Sequence, residues 1–333
     1  MIAPIIQTRL RRHMRIAAVM AAMALVGSGP AQSDSTDVTD AGLGATFAQP
    51  DNTARSAAGG KGVVFIAGSG PTDRNGNSGL GVQAGYLRLL SEALVRDGIF
   101  TLRYDKRGVG ASKAALTSES DLRFSDFVDD TESWARWLRE RPGVSCIFLL
   151  GHSQGGLVAT LAAPEVKAAG LVLLSSPGRS FGALLQEQLA AAPMGAKLKA
   201  SALAIVKDLE AGKTPSDVPP GLQRLFRPSV QPFLISLMNI DPAAELAALK
   251  TPTLIVSGGH DLQVAEIDYQ RLTAARPDAT AVRIPDMNHV LKDAPAARKP
   301  NLATYANPNL PLAPGLANAV TGFINKTACP GAS

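Results

Sequence analysis

Cysteine, histidine and aromatic residues are all scarce in this chain of 333 residues, and each shortage argues against a class of function. Phe, Trp and Tyr together make up 5% of the residues, too few to suggest a surface that stacks the bases of single-stranded nucleic acid. The four His and two Cys show no spacing typical of metal ligands. The glycine-rich segments match neither phosphate-binding pattern, G-x-G-x-x-G or G-x-x-x-x-G-K-[ST]. We therefore expect no cofactor, no metal and no nucleic-acid partner.

The positive charge is concentrated at the N-terminus. The net charge is +5, but residues 1–31 hold four arginines and no acid, so about +1 is left for the remainder. An apolar stretch at 16–27 and the small residues Gly29-Pro30-Ala31 follow the arginines. This pattern predicts a signal peptide over 1–31, cleaved after Ala31, and a periplasmic or secreted protein without a membrane span after cleavage. An uncleaved anchor, an amphipathic surface helix, twin-arginine export and a start at Met14 remain alternatives.

The most informative motif is Gly151-His152-Ser153-Gln154-Gly155-Gly156. It lies between an apolar run at 146–150, typical of a strand, and an apolar run at 157–163, typical of a helix. A strand, a sharp turn and a helix form the context of the G-x-S-x-G nucleophile elbow, whose glycines let strand and helix approach closely. His152 should point away from its neighbour in that geometry. We predict that Ser153 is a nucleophile.

A serine nucleophile needs a base, and the base needs an orienting acid. Hydrolases that carry this elbow use the chain order Ser, then Asp or Glu, then His. Asp261 follows a predicted strand at 253–257, and His289 follows a predicted strand at 281–284. Both loops leave the carboxyl ends of parallel strands, where ligands bind in α/β sheets. We assign Asp261 as the orienting acid and His289 as the general base.

Two other side chains compete for these roles. His260 adjoins Asp261 and precedes it, so the two side chains should diverge. Asp286 lies three residues before His289 and is the alternative acid. The segment 175–178, after the preceding predicted strand, offers no carboxylate, which supports Asp261.

Two backbone amides are expected to form an oxyanion hole. The residue after the nucleophile, Gln154, supplies one N–H, and the loop after the first clear strand supplies the other. In that loop, at 68–77, we choose Ser69, with Gly70 as the near competitor. The segment 105–112 follows the next strand, and we expect its glycines and acid to brace a tight turn rather than to react.

Predicted strands and helices alternate from residue 62 onward, which implies an α/β fold with a mostly parallel sheet and helices on both faces. The predicted core covers 62–178 and 251–326. A linker at 32–61, with one short strand near 42–48, precedes it, and a tail at 327–333 follows it. Residues 179–250 show helical spacing and several prolines but no strand, which predicts an inserted helical cap.

The cap should fold over the site, because its ends join strands whose loops carry the predicted catalytic groups. Its apolar residues would either line an acyl pocket or form only the cap's own small core. These residues are Leu225, Phe226, Phe233, Leu234, Leu237 and Met238.

The two cysteines, Cys146 and Cys329, are both expected at the sheet edge opposite Ser153. A disulfide is therefore allowed by geometry and by an oxidising compartment. Two free thiols, one buried and one in the tail, remain the other possibility.

The motifs together make the chain resemble the α/β-hydrolases, and more narrowly their bacterial serine carboxylesterases. The resemblance runs from about 62 to 324 and is carried by Gly-Ser-Gly-Pro-Thr-Asp-Arg at 68–74, Tyr-Asp-Lys-Arg-Gly at 104–108, the serine motif, Gly-His-Asp at 259–261 and Met-Asn-His at 287–289. It implies the α/β-hydrolase fold, a Ser-Asp-His triad and hydrolysis of carboxylic esters. Because the apolar residues of the cap are few and punctuated by prolines, we expect a small-molecule ester with a short-to-medium acyl chain. Before Val63, the first strands of the usual sheet are poorly evident. A serine peptidase, a thioesterase and a non-catalytic binding protein on the same scaffold are the alternatives.

Overall fold

One mixed sheet of eight strands organises the protein. The computed structural model describes residues 35–51 and 60–330, so the predicted signal peptide and part of the predicted linker lie outside the described residues. The strands, in chain order, are β1 (Ser35–Asp40), β2 (Leu43–Ala48), β3 (Gly60–Ile66), β4 (Phe100–Tyr104), β5 (Val144–His152), β6 (Gly170–Leu174), β7 (Thr253–Gly258) and β8 (Thr280–Ile284). Their spatial order is β1-β2-β4-β3-β5-β6-β7-β8. The first two pairings are antiparallel, and all those from β4 to β8 are parallel.

Helices connect the parallel strands, as the alternating pattern predicts. They are α1 (Tyr86–Arg96), α2 (Phe124–Arg139), α3 (Gln154–Val166), α4 (Phe181–Ala191), α5 (Ala196–Glu210), α6 (Gln223–Phe226), α7 (Gln231–Met238), α8 (Pro242–Ala247), α9 (Glu266–Ala275), α10 (Arg298–Ala303) and α11 (Leu316–Lys326). None of the described helices is long and apolar enough to cross a membrane.

The sheet separates two hydrophobic cores. Successive side chains of a strand point to opposite faces, and β5 follows this rule. Its Ile147 and Leu149 pack into a cluster with residues of α2 and α3. Its Phe148 and Leu150 pack into a second cluster with residues of α1 and α11. The central strand therefore carries an unbroken apolar run, because both of its faces are covered by helices.

The segment before β3 differs from the sequence prediction. The strand expected near 42–48 is present as β2, but Ser35–Asp40 is also a strand, so the prediction of a linker without further strands is wrong over 35–40. β1 is an almost fully exposed edge strand that pairs with β2 along its whole length. Because backbone hydrogen bonds rather than apolar burial hold β1, its sequence carries no hydrophobic pattern to detect.

The inserted segment 179–250 contains only helices and short helical turns among its regular elements, in agreement with its sequence pattern. It has a hydrophobic cluster of its own, to which α4, α5 and α7 contribute. Arg179, at its start, donates two hydrogen bonds to the buried carboxylate of Asp268 in α9. This ion pair fastens the first residues of the insertion to the core.

A disulfide joins Cys146, near the start of β5, to Cys329, after α11, across a sequence separation of 183 residues. Their Cα atoms are 5.6 Å apart. Since β5 carries Ser153 at its other end, the bridge lies at the edge of the sheet opposite that serine. The structure thus decides between the two possibilities that the sequence left open.

Candidate active site

Ser153 stands alone between β5 and α3, in a backbone conformation that few residues adopt. Its φ is 54° and its ψ is −127°, and such a positive φ in a non-glycine residue costs free energy that the surroundings must supply. A Cβ on Gly151 would lie 2.1 Å from the carbonyl oxygen of Gly155, and a Cβ on Gly155 would lie 2.3 Å from that of Ile66. The two glycines are therefore required by the close approach of strand, turn and helix.

Asp261 and His289 meet beside this turn, although 28 residues separate them in the chain. The Nδ1 of His289 donates to Oδ2 of Asp261 at 2.8 Å. The other carboxylate oxygen, Oδ1, accepts the backbone N–H groups of Gln263 and Val264. With Nδ1 bound in this way, the imidazole leaves its Nε2 free to accept a proton.

The loops that carry these two residues pack tightly. A Cβ on Gly258 would meet the carbonyl oxygen of Met287 at 2.1 Å, and one on Gly259 would meet that of Pro285 at the same distance. Burial by itself would raise the pKa of the Asp261 carboxyl. The charge and hydrogen bond of His289 and the two backbone N–H groups outweigh it and hold that pKa below its ordinary value.

Ser153 and His289 line one cavity of about 260 Å³. Gly68, Ser69 and Gly70 line it as well, and Gly68 lies so near the serine that a Cβ there would be 3.1 Å from the Cβ of Ser153. The loop is held in shape by Asp73, whose Oδ1 accepts the backbone N–H groups of Asn75 and Asn77. The structure thus brings Ser69 to the serine, and Gln154 follows the serine as the first residue of α3.

His152 contacts the candidate base, a role that the sequence did not reveal. Its Nε2 donates to the backbone carbonyl oxygen of His289 at 2.7 Å, and its Nδ1 accepts the hydroxyl of Tyr86 at 3.1 Å. Burial, with a smaller effect of the charge of His289, lowers the pKa of His152 to about 3. The ring is therefore neutral and carries its proton on Nε2. The only sequence signal for this residue is its place next to Ser153.

The competing residues lie elsewhere. His260 donates from Nδ1 to the carbonyl oxygen of Ala294 at 2.6 Å. Asp286 is largely exposed, and its carboxylate lies 3.7 Å from His260 rather than beside His289. Unlike His289, His260 is not among the residues that line the cavity at Ser153.

The apolar residues of the insertion also lie away from this cavity. Phe226, Leu234 and Met238 belong to the insertion's own cluster. Phe233 packs against the rings of Phe124 and Phe127 in α2. The walls near Ser153 come instead from other segments, through Thr72, Gly76, Ser78, Leu80, Val82, Tyr86, Gln263, Val290 and Tyr305. Among the described residues, no group of three or more His, Cys, Asp or Glu side chains is placed to hold a metal ion.

Comparison with known proteins agrees with the fold. The profile of the alpha/beta hydrolase family matches residues 63–298. The chain belongs to that family.

Among curated proteins, the chain is similar to the esterase EstD of Thermotoga maritima, with 27% identity over 267 residues. The match covers 79% of this chain and 61% of EstD, so the chain spans about three-fifths of that relative's length. Two solved structures share the fold with a TM-score of 0.55, each covering 88% of this chain and 98% of the other. They are Est1E of Butyrivibrio proteoclasticus with ferulic acid bound, 18% identical, and a proline iminopeptidase of Mycobacterium smegmatis, 15% identical.

Proposed function

We propose that this chain is an exported serine hydrolase that cleaves carboxylic esters through an acyl-enzyme intermediate. The observation that carries the proposal is the strained Ser153 in one cavity with His289, whose Nδ1 is hydrogen-bonded to the buried Asp261. Strain of this kind at a non-glycine residue persists only where the surrounding structure imposes it, and it is common at functional sites.

The chemistry follows from the atoms at this site. Ser153 Oγ attacks the ester carbonyl while Nε2 of His289 takes its proton, and the same nitrogen then returns the proton to the leaving alcohol. Asp261 keeps the imidazole in the required tautomer and stabilises its protonated form. The backbone N–H groups of Gln154 and Ser69 bind the oxyanion. Water then releases the acyl group along the same route.

Short-to-medium acyl chains suit the cavity at Ser153. Its volume of about 260 Å³ lies below the range of roughly 300–1,000 Å³ that is common for pockets binding drug-sized ligands. Gly76, Ser78 and Thr72 give it small walls, and Leu80, Val82 and Val290 supply apolar surface. The small volume of this cavity supports the proposal of short-to-medium acyl chains.

Two enzymatic alternatives and a binding role remain, and one experiment separates them. Because an esterase and a peptidase are both similar to this chain in fold, the fold does not choose between ester and amide. We expect a fluorophosphonate probe to label Ser153. We also expect p-nitrophenyl acetate to be hydrolysed faster than the dodecanoyl ester, a thioester analogue, and prolyl or other aminoacyl amides. Absence of labelling would favour a binding protein. Labelling of Ser153 combined with cleavage of an amide or thioester faster than of the ester would identify a peptidase or a thioesterase.

We also propose export, which would place the protein in the periplasm or the medium. The N-terminal arginines and apolar stretch support it, and so does the disulfide, because such bonds persist mainly in oxidising compartments. The exported protein should begin at or near Gln32 when its mass is measured. A cytosolic protein that retains residues 1–31 would contradict this proposal.

A further inference from the structure

Lys106 is a buried lysine whose Nζ is bound to two carbonyl oxygens of the loop beside Ser153. It follows β4, and only 3% of its surface is exposed. Its Nζ donates to the carbonyl oxygens of Gly68 and Gly70, the second at 2.6 Å. The ring of Phe127 lies on another side, with its centroid 5.4 Å from Nζ.

No carboxylate of the described residues forms an ion pair with Lys106. The adjacent carboxylate of Asp105 is bound by Arg74, and the adjacent Arg107 is bound to Asp130. Burial alone lowers the pKa of Lys106 to about 7. Fully buried lysines without a charged partner are rare because removing the charge from water costs free energy. A methionine of similar length would fill the same space without that cost, so packing does not explain the lysine.

The carbonyl group of Gly68 and the N–H group of Ser69 belong to the same peptide unit. No described peptide bond is cis, and in a planar trans peptide the C=O and N–H bonds point in opposite directions. Because Lys106 holds the oxygen on one side, the N–H of Ser69 must point to the other. The next carbonyl, that of Ser69, accepts the hydroxyl of Thr72 at 2.9 Å. Three consecutive carbonyl groups are therefore held by side chains.

A hydrogen-bond donor on the carbonyl oxygen also strengthens the opposite N–H as a donor. Hydrogen bonds in series polarise each other, by about 10–30% per bond in condensed-phase estimates, and a charged donor gives the stronger bonds. Ser69 lines the cavity that contains Ser153. Lys106 is not among the residues that line this cavity, so an N–H that points away from Lys106 is expected on the side where negative charge would develop on the substrate oxygen.

We propose that Lys106 is a positioning residue of the oxyanion hole, whose Nζ orients and polarises the Gly68–Ser69 peptide by its hydrogen bond to the Gly68 carbonyl oxygen, so that the Ser69 N–H binds the oxyanion. This inference rests on the proposed ester hydrolysis. Lys106 acts only through the peptide group, and its contribution should therefore appear in the transition state and in tetrahedral adducts, not in ground-state binding.

The test compares Lys106→Met with wild type and with Lys61→Met. Lys61 is a matched control because it also donates to backbone carbonyl oxygens, those of Ile324, Asn325 and Thr327, beyond the opposite edge of the sheet. Phenylboronic acid, which forms a tetrahedral adduct with an active serine, reports on the oxyanion hole. Hydrolysis of p-nitrophenyl acetate gives kcat and KM.

Loss of one oxyanion donor typically costs about 10²–10³-fold in kcat. We expect Lys106→Met to lower kcat and weaken phenylboronic acid binding by factors approaching that range, with KM changed by less than about threefold. The Lys61→Met variant should match wild type in all three values. Lys106→Gln keeps a neutral donor, so its kcat and boronate affinity should lie between those of wild type and the Met variant. If the Met variant does not fold, the Gln variant provides the test.

Unchanged kcat and boronate affinity in a folded Lys106 variant would overturn the inference while leaving ester hydrolysis intact. A purely structural role would give a different result: a lowered melting temperature and less active enzyme, with unchanged boronate affinity per active site. That result would also overturn the inference. Failure of the proposed function is distinguishable, because wild type itself would then neither hydrolyse the ester nor bind phenylboronic acid.

Discussion

Ser153 and His289 are the side chains on which the proposed chemistry depends most directly. Changing either to Ala should abolish most esterase activity, because each removes a partner in the same proton transfer, while oxyanion binding leaves a residual rate about 10³-fold above water. His260→Ala is the control, since His260 is bonded to Ala294. Initial rates with p-nitrophenyl acetate and circular dichroism of all three variants check this. Inactivation by His260→Ala alone would move the base to His260.

Asp261 is expected to act through the tautomer of His289. Asp261→Asn replaces the acceptor of the Nδ1 proton by an amide that can donate, which favours the wrong tautomer and should lower kcat by up to roughly 10⁴-fold. Asp286→Asn should have little effect, because its carboxylate is largely exposed and faces His260. Turnover rates of both variants decide the assignment. The opposite ranking would make Asp286 the acid.

The buried charge of Lys106 should appear in the pH dependence of stability. Its pKa is lowered from 10.5 to about 7 in the fold. Two carbonyl groups and an aromatic ring surround Nζ, and no titratable side chain contributes to the lowering of its pKa. Between these two pH values the unfolded chain holds a proton that the folded chain does not, so this group makes stability rise with pH.

Lys106→Met removes this linkage. The free energy of unfolding of the Met variant should exceed that of wild type most below about pH 7, and the difference should shrink as the pH approaches about 10. Urea titrations of both proteins across this range measure it. A difference that does not vary with pH would show that Lys106 titrates normally in the fold.

At the scale of elements, the loop between β3 and α1 rather than the helical insertion forms the walls near Ser153. Val82→Ala should therefore enlarge the cavity and shift the preferred p-nitrophenyl ester toward longer acyl chains, by about 1–3 kcal/mol of discrimination per methylene group. Phe233→Ala and Leu237→Ala should keep the wild-type profile and instead lower stability, because both side chains pack in the core shared with α2. A changed preference for acyl-chain length in the Phe233 variant alone would show that the insertion lines the acyl pocket.

At the scale of the whole molecule, the disulfide ties the last described residues to the middle of the sheet. Replacing both Cys146 and Cys329 by Ser should lower the free energy of unfolding by about 2–4 kcal/mol, with about 5 kcal/mol as the chain-entropy limit for a loop of this length. The kcat should change little, because the bridge lies at the edge opposite Ser153. Equal urea midpoints for wild type and the double variant would show that the bridge contributes nothing.

Much of the fold could be predicted because its signals are local. Strand and helix periods, the prolines of the insertion and the strand-turn-helix around Ser153 depend on residues close together in the chain. β1 could not be predicted with them, since an exposed edge strand held by its pairing with β2 leaves no apolar pattern.

The sequence by itself determined the α/β architecture, the elbow serine and the order of loops in which Asp261 and His289 occur, because chain order and parallel strands place those loops at one edge. Only the tertiary structure decided that His152 holds the backbone of His289, 137 residues away, and that Lys106 holds the loop at Gly68. It also decided the disulfide and the walls of the cavity. These contacts join segments distant in the chain, and their pairing depends on side-chain directions that exist only after the sheet and its helices have packed.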